Sequence, residues 1–117
     1  MDRKILRGDM YYADLSPAIG SEQGGDRPVV VLQNNTGNSY SPTIIIAAIT
    51  GRNTKKPLQP SHYQLPTGYG LNRDSMVMLE HLRTIDKSRL RRYNGSLDKN
   101  TMKGIDQALL VSIDLDK

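Results

Sequence analysis

Apolar residues in this chain follow two rhythms: short, closely spaced runs over the first two thirds, then a helical spacing near the end. Residues 10–15 (Met-Tyr-Tyr-Ala-Asp-Leu) read as a short strand after a Gly8-Asp9 turn. Residues 28–33 (Pro-Val-Val-Val-Leu-Gln) and 43–50 (Thr-Ile-Ile-Ile-Ala-Ala-Ile-Thr) are nearly continuous apolar runs rich in β-branched residues, the pattern of buried strands. Residues 61–65 (Ser-His-Tyr-Gln-Leu) alternate as a half-exposed strand does, and residues 75–80 (Ser-Met-Val-Met-Leu-Glu) predict a further strand. The Asn-Asn-Thr-Gly-Asn-Ser cluster at 34–39 predicts a turn, and residues 86–90 a short helical turn. From Asp98 onward the period becomes helical, with Met102, Ile105, Leu109 and Ile113 on one face and Asp98 placed to cap the first turn. Many short strands and one closing helix predict a mainly β chain with some α: a small, strongly bent sheet or barrel, the helix packed against one side.

Length sharpens this to one domain, residues 1–117, because a chain of this size has material for a single core. There is no cysteine, which removes disulfide and thiolate-metal schemes and fits a reducing, cytoplasmic setting. No apolar run is long enough to cross a membrane, and residues 1–8 lack the apolar segment of a signal peptide. The net charge of +4 is a mild lean toward polyanions. Distribution adds to it: Arg83, Lys87, Arg89, Arg91 and Arg92 fall within ten residues. Arg3, Lys4 and Arg7 form a second basic group.

The chemistry-bearing candidates are few. There is no Walker loop, no His-Glu-x-x-His motif and no metal-ligand spacing of His or Cys. The informative stretch is the end of the loop 16–26 together with the strand entry beyond it, Gly20-Ser21-Glu22-Gln23-Gly24-Gly25-Asp26-Arg27-Pro28. A long loop in a compact domain is often functional. Arg27 stands where this loop enters a buried strand, so its base is held, and a guanidinium so placed suits a phosphate. The alternative is an Arg paired with Asp26 or Glu22 to stiffen the loop. Thr50 ends the next buried strand, where a hydroxyl can bind an anion or cap the adjoining turn.

The strings Arg7-Gly8-Asp9-Met10-Tyr11-Tyr12-Ala13-Asp14-Leu15-Ser16-Pro17 and Gly20-Ser21-Glu22-Gln23-Gly24-Gly25-Asp26-Arg27-Pro28-Val29-Val30 resemble the opening of the MazF/PemK toxin family. The resemblance continues through Gln33-Asn34-Asn35-Thr36-Gly37-Asn38, Ala47-Ala48-Ile49-Thr50, Pro60-Ser61-His62, Asp74-Ser75 and Leu79-Glu80-His81-Leu82-Arg83-Thr84-Ile85-Asp86-Lys87. Within the family it is nearest the MazF toxins of Gram-positive bacteria. The resemblance implies an SH3-like barrel with a C-terminal helix, working as a homodimer in the cytoplasm. It implies cleavage of single-stranded RNA at short motifs, a UACAU-type pentanucleotide in relatives, without metal or other cofactor. It also implies an acidic MazE-type antitoxin laid across the RNA groove. The family's catalytic Arg and Thr fall on Arg27 and Thr50. Its groove-lining positions fall on Ser21, Glu22, Gln23, His62, Ser75, Glu80 and His81. His81 stands where relatives usually carry Gln, a residue of different donor and acceptor pattern. Tyr63 and Leu71 stand where relatives vary, and both read as packing changes.

RNA carries its own nucleophile, the 2′-hydroxyl, so the expected products are a 2′,3′-cyclic phosphate and a 5′-hydroxyl. Glu22, His62 and His81 are the candidate proton carriers. Tyr11 and Tyr12 read as core and sheet residues, and Tyr40 and Tyr69 as the exposed candidates for base stacking. Two other readings share parts of this pattern. A CcdB-like gyrase-binding toxin has the same fold but relies on an aromatic C-terminal end, whereas this chain ends Ile-Asp-Leu-Asp-Lys and has no Trp. A non-enzymatic nucleic-acid-binding module explains the basic residues but not why Arg27 and Thr50 sit at neighbouring strand mouths.

Overall fold

The structure is a computed structural model that describes residues 3–17, 20, 24–52, 55–66, 68–71 and 74–116. In chain order it contains β1 (Asp9–Asp14), β2 (Asp26–Val31), α1 (Asn35–Tyr40), β3 (Thr43–Gly51), β4 (His62–Gln64), β5 (Ser75–Asp86), a single 3-10 turn (Lys87–Arg89), β6 (Leu90–Ser96) and α2 (Lys99–Ser112). The strands form one six-stranded sheet in the order β4-β5-β3-β2-β1-β6. Every pairing in it is antiparallel. The expected mainly β fold with a closing helix is therefore the fold the chain adopts. β4 and β6 remain as sheet edges, so the barrel is an open one.

Both faces of the central strands are buried, which is why their sequences are almost wholly apolar. Successive side chains point to opposite faces. On one side Met10, Val30, Ala47, Ile49, Val77 and Leu79 pack beneath Ile105 and Ala108 of α2. On the other Tyr11, Val29, Val31, Ile44 and Ile46 pack with Leu15, Ile85 and Leu90. The second core contains no helical residue; Ile5, before β1, and Tyr93 of β6 pack against it.

Three elements differ from the sequence reading. Residues 34–39 do not form a turn: 35–40 make the short helix α1. The Asn34 side chain accepts from the Gly37 N–H at 2.8 Å, and the Asn38 amide donates to the Gln33 carbonyl at 3.0 Å. The Asn side chains that signal a turn here serve as a helix cap and a buried brace. β5 runs on past Glu80 to Asp86. β6 (Leu-Arg-Arg-Tyr-Asn-Gly-Ser) escapes hydrophobic patterning because it is a polar edge strand. Pairing with β1 holds it, together with Leu90 in the second core and Tyr93 edge-on to Tyr11 at 5.6 Å between ring centres.

Helix α2 starts as expected: the Asp98 carboxylate accepts from the Thr101 N–H at 2.7 Å and from the Tyr69 hydroxyl at 3.1 Å. Ile105 is fully buried, and Met102 and Leu109 lie against the same core. Ile113, expected on that face, is 47% exposed, because the helix ends at Ser112. Arg7 ties the helix to the body of the protein by bonds to the Asp106 carboxylate (2.5 Å) and the Leu32 carbonyl (2.9 Å). Among the described residues, no helix is long and apolar enough to cross a membrane.

Candidate active site

The site is assembled by strand register. Val29 pairs with Ala48 across β2 and β3. Two residues further along the same register Arg27 meets Thr50, and the Arg27 Nη1 donates to the Thr50 Oγ1 at 3.4 Å. The Arg27 Nε donates to the Gly24 carbonyl at 2.9 Å. Among the described residues Arg27 forms no ion pair, so its orientation comes from a carbonyl and a hydroxyl and its charge is not neutralised by Asp26. Because Arg27 donates to Thr50, the Thr50 hydroxyl keeps its own proton for another acceptor. Gly51 pairs with Ser75 of β5, which places Ser75 at the same end of the sheet.

An open cavity of about 410 Å³ occupies this end, lined by Arg27, Thr50, Ser75, Tyr12, Leu71 and Gly24 among others. Tyr12 lies in β1 and Leu71 packs against the first core, as the sequence suggests, and both also line the cavity. A signal for Tyr12 exists in the pattern, since it lies near the end of β1 that feeds the long loop. Tyr69, which reads as an exposed stacking candidate, is instead fastened to the cap of α2.

The neck of the loop before Arg27 is laced shut. The Leu15 N–H donates to the Gly25 carbonyl at 3.0 Å, and the Gly25 N–H donates to the Ser16 hydroxyl at 3.2 Å. Arg83 donates to the Leu15 carbonyl at 2.6 Å, and Arg89 to the Asp14 and Ser16 carbonyls at 3.1 and 2.5 Å. Lys87 donates to the Asn38 carbonyl at 2.6 Å, and Arg91 reaches the Asp14 carboxylate at 3.5 Å. The basic cluster that suggests a polyanion patch is thus largely a set of braces on the protein's own chain.

The remaining candidates divide. Ser21, Glu22 and Gln23 lie outside the described residues. His62, Glu80 and His81 do not line the cavity. They sit where β5 departs from β3: Ala47 pairs with Leu82 and Ile49 with Val77, so Met78 to His81 bulge opposite Ala48 alone. His62 and Glu80 form a pair there, Nε2 to Oε2 at 2.7 Å, and the Ser61 hydroxyl donates to the other Glu80 oxygen at 3.3 Å. The Gln59 N–H donates to the His62 Nδ1 at 3.4 Å, which leaves the ring proton on Nε2, facing Glu80. Among the described residues, no group of three His, Cys, Asp or Glu side chains comes together as a metal ion would require.

Burial alone would raise the Glu80 carboxyl, but hydrogen bonds from His62, its own backbone and Ser61 outweigh it and hold it below the ordinary glutamate value. Asp98 is also held low, first by the Thr101 N–H. Groups depressed on folding stabilise the folded state above their unfolded pKa, and that contribution is lost as pH falls through the folded value. Unfolding midpoints in urea are therefore expected to be flat above about pH 5 and to fall steadily below it. In Glu80→Gln that acid slope should be shallower; a slope equal to wild type contradicts this assignment.

Residues 6–113 match the sequence pattern of PemK-like, MazF-like toxins of type II toxin-antitoxin systems. The chain belongs to this family. Solved structures agree with it at the level of fold. MazF from Deinococcus radiodurans matches with a TM-score of 0.82 and 23% identity, covering 97% of this chain and 99% of that one. A mycobacterial endoribonuclease in complex with its cognate antitoxin matches with a TM-score of 0.79 and 23% identity, over 95% of this chain and 96% of that one. The Mycobacterium tuberculosis toxin MazF-mt6 matches with a TM-score of 0.76 and 23% identity, over 93% of this chain and 99% of that one.

Proposed function

We propose that this toxin is an endoribonuclease that cuts single-stranded RNA by attack of the 2′-hydroxyl on the adjacent phosphorus. The observation that carries the reading is the Arg27–Thr50 contact at 3.4 Å in the wall of an open cavity. A permanently charged guanidinium and a hydroxyl proton, fixed side by side on neighbouring strands, match the needs of a phosphodiester that gains negative charge as it reacts. The O2′–P bond forms and the P–O5′ bond breaks. The 2′-hydroxyl gives its proton to a base, and the departing 5′-oxygen gains one. The reaction needs no metal-bound nucleophile, because the substrate supplies its own.

Arg27 clamps the non-bridging oxygens as charge builds, and Thr50 donates to one of them and keeps the phosphate in line. Ser21, Glu22, Gln23, His62, Ser75, Glu80 and His81 contact the RNA strand, Ser75 within the cavity and the His62–Glu80 pair beyond it. Glu22, His62 and His81 are the candidate proton carriers of this reading; His62 is already paired with Glu80, and both histidines stand outside the cavity. The partners are a MazE-type antitoxin, supported by the antitoxin complex of the structurally similar mycobacterial protein, and a second copy of the chain. The exposed apolar residues Ile113 and Leu115 at the end of α2 are consistent with such a surface. The cytoplasm is the compartment where RNA and antitoxin are both found.

The nucleophile is testable directly. An RNA with a single 2′-deoxynucleotide on the 5′ side of a mapped cut is expected to bind normally and resist cutting there, and the natural RNA to leave 2′,3′-cyclic phosphate ends. Cutting at the deoxy position would refute 2′-hydroxyl attack.

A further inference from the structure

The basic run 83–92 has one arginine, Arg92, whose contact is neither with the loop neck nor with Asp14. Its guanidinium lies over the Tyr12 ring, 4.4 Å from its centre, and is exposed. Tyr12 in turn borders the cavity that holds Arg27 and Thr50. It pairs with Pro28, the residue after Arg27, across β1 and β2. The chain has no Phe or Trp and six Tyr. Tyr11 is buried in the second core. Tyr63 packs on the first core, Tyr69 is bonded to Asp98, the cap of α2, and Tyr93 meets Tyr11 edge-on and carries Arg3 over its face. Tyr40 is exposed but lies just before β3, at the end opposite Thr50. Among the described residues, Tyr12 is the one aromatic ring in the cavity wall.

Resting on the endoribonuclease reading, we infer that the Tyr12–Arg92 pair is the platform against which a nucleobase next to the cleaved phosphodiester stacks. A single strand presents unstacked bases whose faces are costly to leave in water, and an aromatic ring beside the backbone clamp is the usual remedy. Arg92 holds the ring in place by a cation–π contact, so little side-chain freedom is lost on binding. Its exposed charge is also available to a phosphate of the bound strand. Every base has a π-face, so this platform adds affinity and registers the phosphate on Arg27 without choosing the sequence.

The test is steady-state cutting of a short single-stranded RNA that spans a mapped cut. Tyr12→Leu should raise KM about tenfold with kcat little changed, and Tyr12→Phe should behave as wild type. Arg92→Ala should raise KM less and make the logarithmic salt dependence of binding shallower by about 0.7. A 2-aminopurine placed beside the cut should be quenched on binding to Arg27→Ala protein, and that quenching should vanish when Tyr12→Leu is added. A Tyr12→Leu protein with unchanged KM and unchanged quenching overturns the platform, and so does an equal loss in Tyr12→Phe and Tyr12→Leu. If the wild-type protein cuts no RNA, the endoribonuclease reading itself has failed, a result separate from either of these.

Discussion

Replacing Arg27 with Ala is expected to slow RNA cutting a hundredfold or more, about 3 kcal/mol of lost transition-state stabilisation, while the protein stays folded. The bonds that Arg27 gives up, to the Gly24 carbonyl and the Thr50 hydroxyl, lie at a half-open surface and not in either core. Their loss should cost about 1 kcal/mol of stability. Lysine should not rescue the activity. Its single ammonium cannot keep the Gly24 carbonyl and still present a planar pair of donors to a phosphate. Thr50→Ala should lose less than Arg27→Ala, because it removes a neutral donor, and Thr50→Ser should recover part of that loss. The measurement is single-turnover cutting of one RNA by each variant, beside its thermal melt. A normal rate in Arg27→Ala removes the proposed clamp.

A Gly104→Ala change should destabilise the protein although it raises helix propensity. Alanine in a helix interior is favoured over glycine by about 1 kcal/mol. Here a Cβ at position 104 would stand 2.8 Å from the Tyr63 Cδ1 and closer still to Cε1 and Cζ. Tyr63 pairs with Val77 of β5 and packs against the first core, so its ring has little room to retreat. Either α2 lifts from β4 or the ring is expelled, and overpacking of this kind costs about 1–3 kcal/mol. We expect a net loss of up to about 2 kcal/mol in urea unfolding after the propensity gain is subtracted. A double-mutant cycle isolates the cause. In a Tyr63→Ala background the same glycine change should become neutral or stabilising. Equal effects in both backgrounds would contradict the clash.

These two positions also show what the sequence could and could not display. The buried strands β2 and β3 were legible because both their faces are covered, which demands apolar residues at nearly every position. Helix α2 was legible from its period and from Asp98. β6 was not, because an edge strand with one paired neighbour needs little apolar surface of its own. Helix α1 was not, because the Asn side chains that cap helices also make turns. Gly104 could be read only once Tyr63 was seen against it. In the site, Arg27 stands out as a cation at the mouth of a buried strand, whereas Thr50 by itself reads as a turn cap; only the family resemblance points to it, and the structure sets its hydroxyl against Arg27. The basic run 83–92 misled, because backbone carbonyls carry no mark in a sequence. Charge alone could not tell Arg83 and Arg89, which lace the loop neck, from Arg92, which lies over Tyr12.

The most direct measurement is to incubate the purified protein with a long single-stranded RNA in excess chelator and resolve the products on a denaturing gel. We predict discrete fragments with 5′-hydroxyl ends, formed by the wild-type protein and not by Arg27→Ala. Intact RNA, or fragments that appear equally with Arg27→Ala, would contradict a metal-independent nuclease built on Arg27 and Thr50.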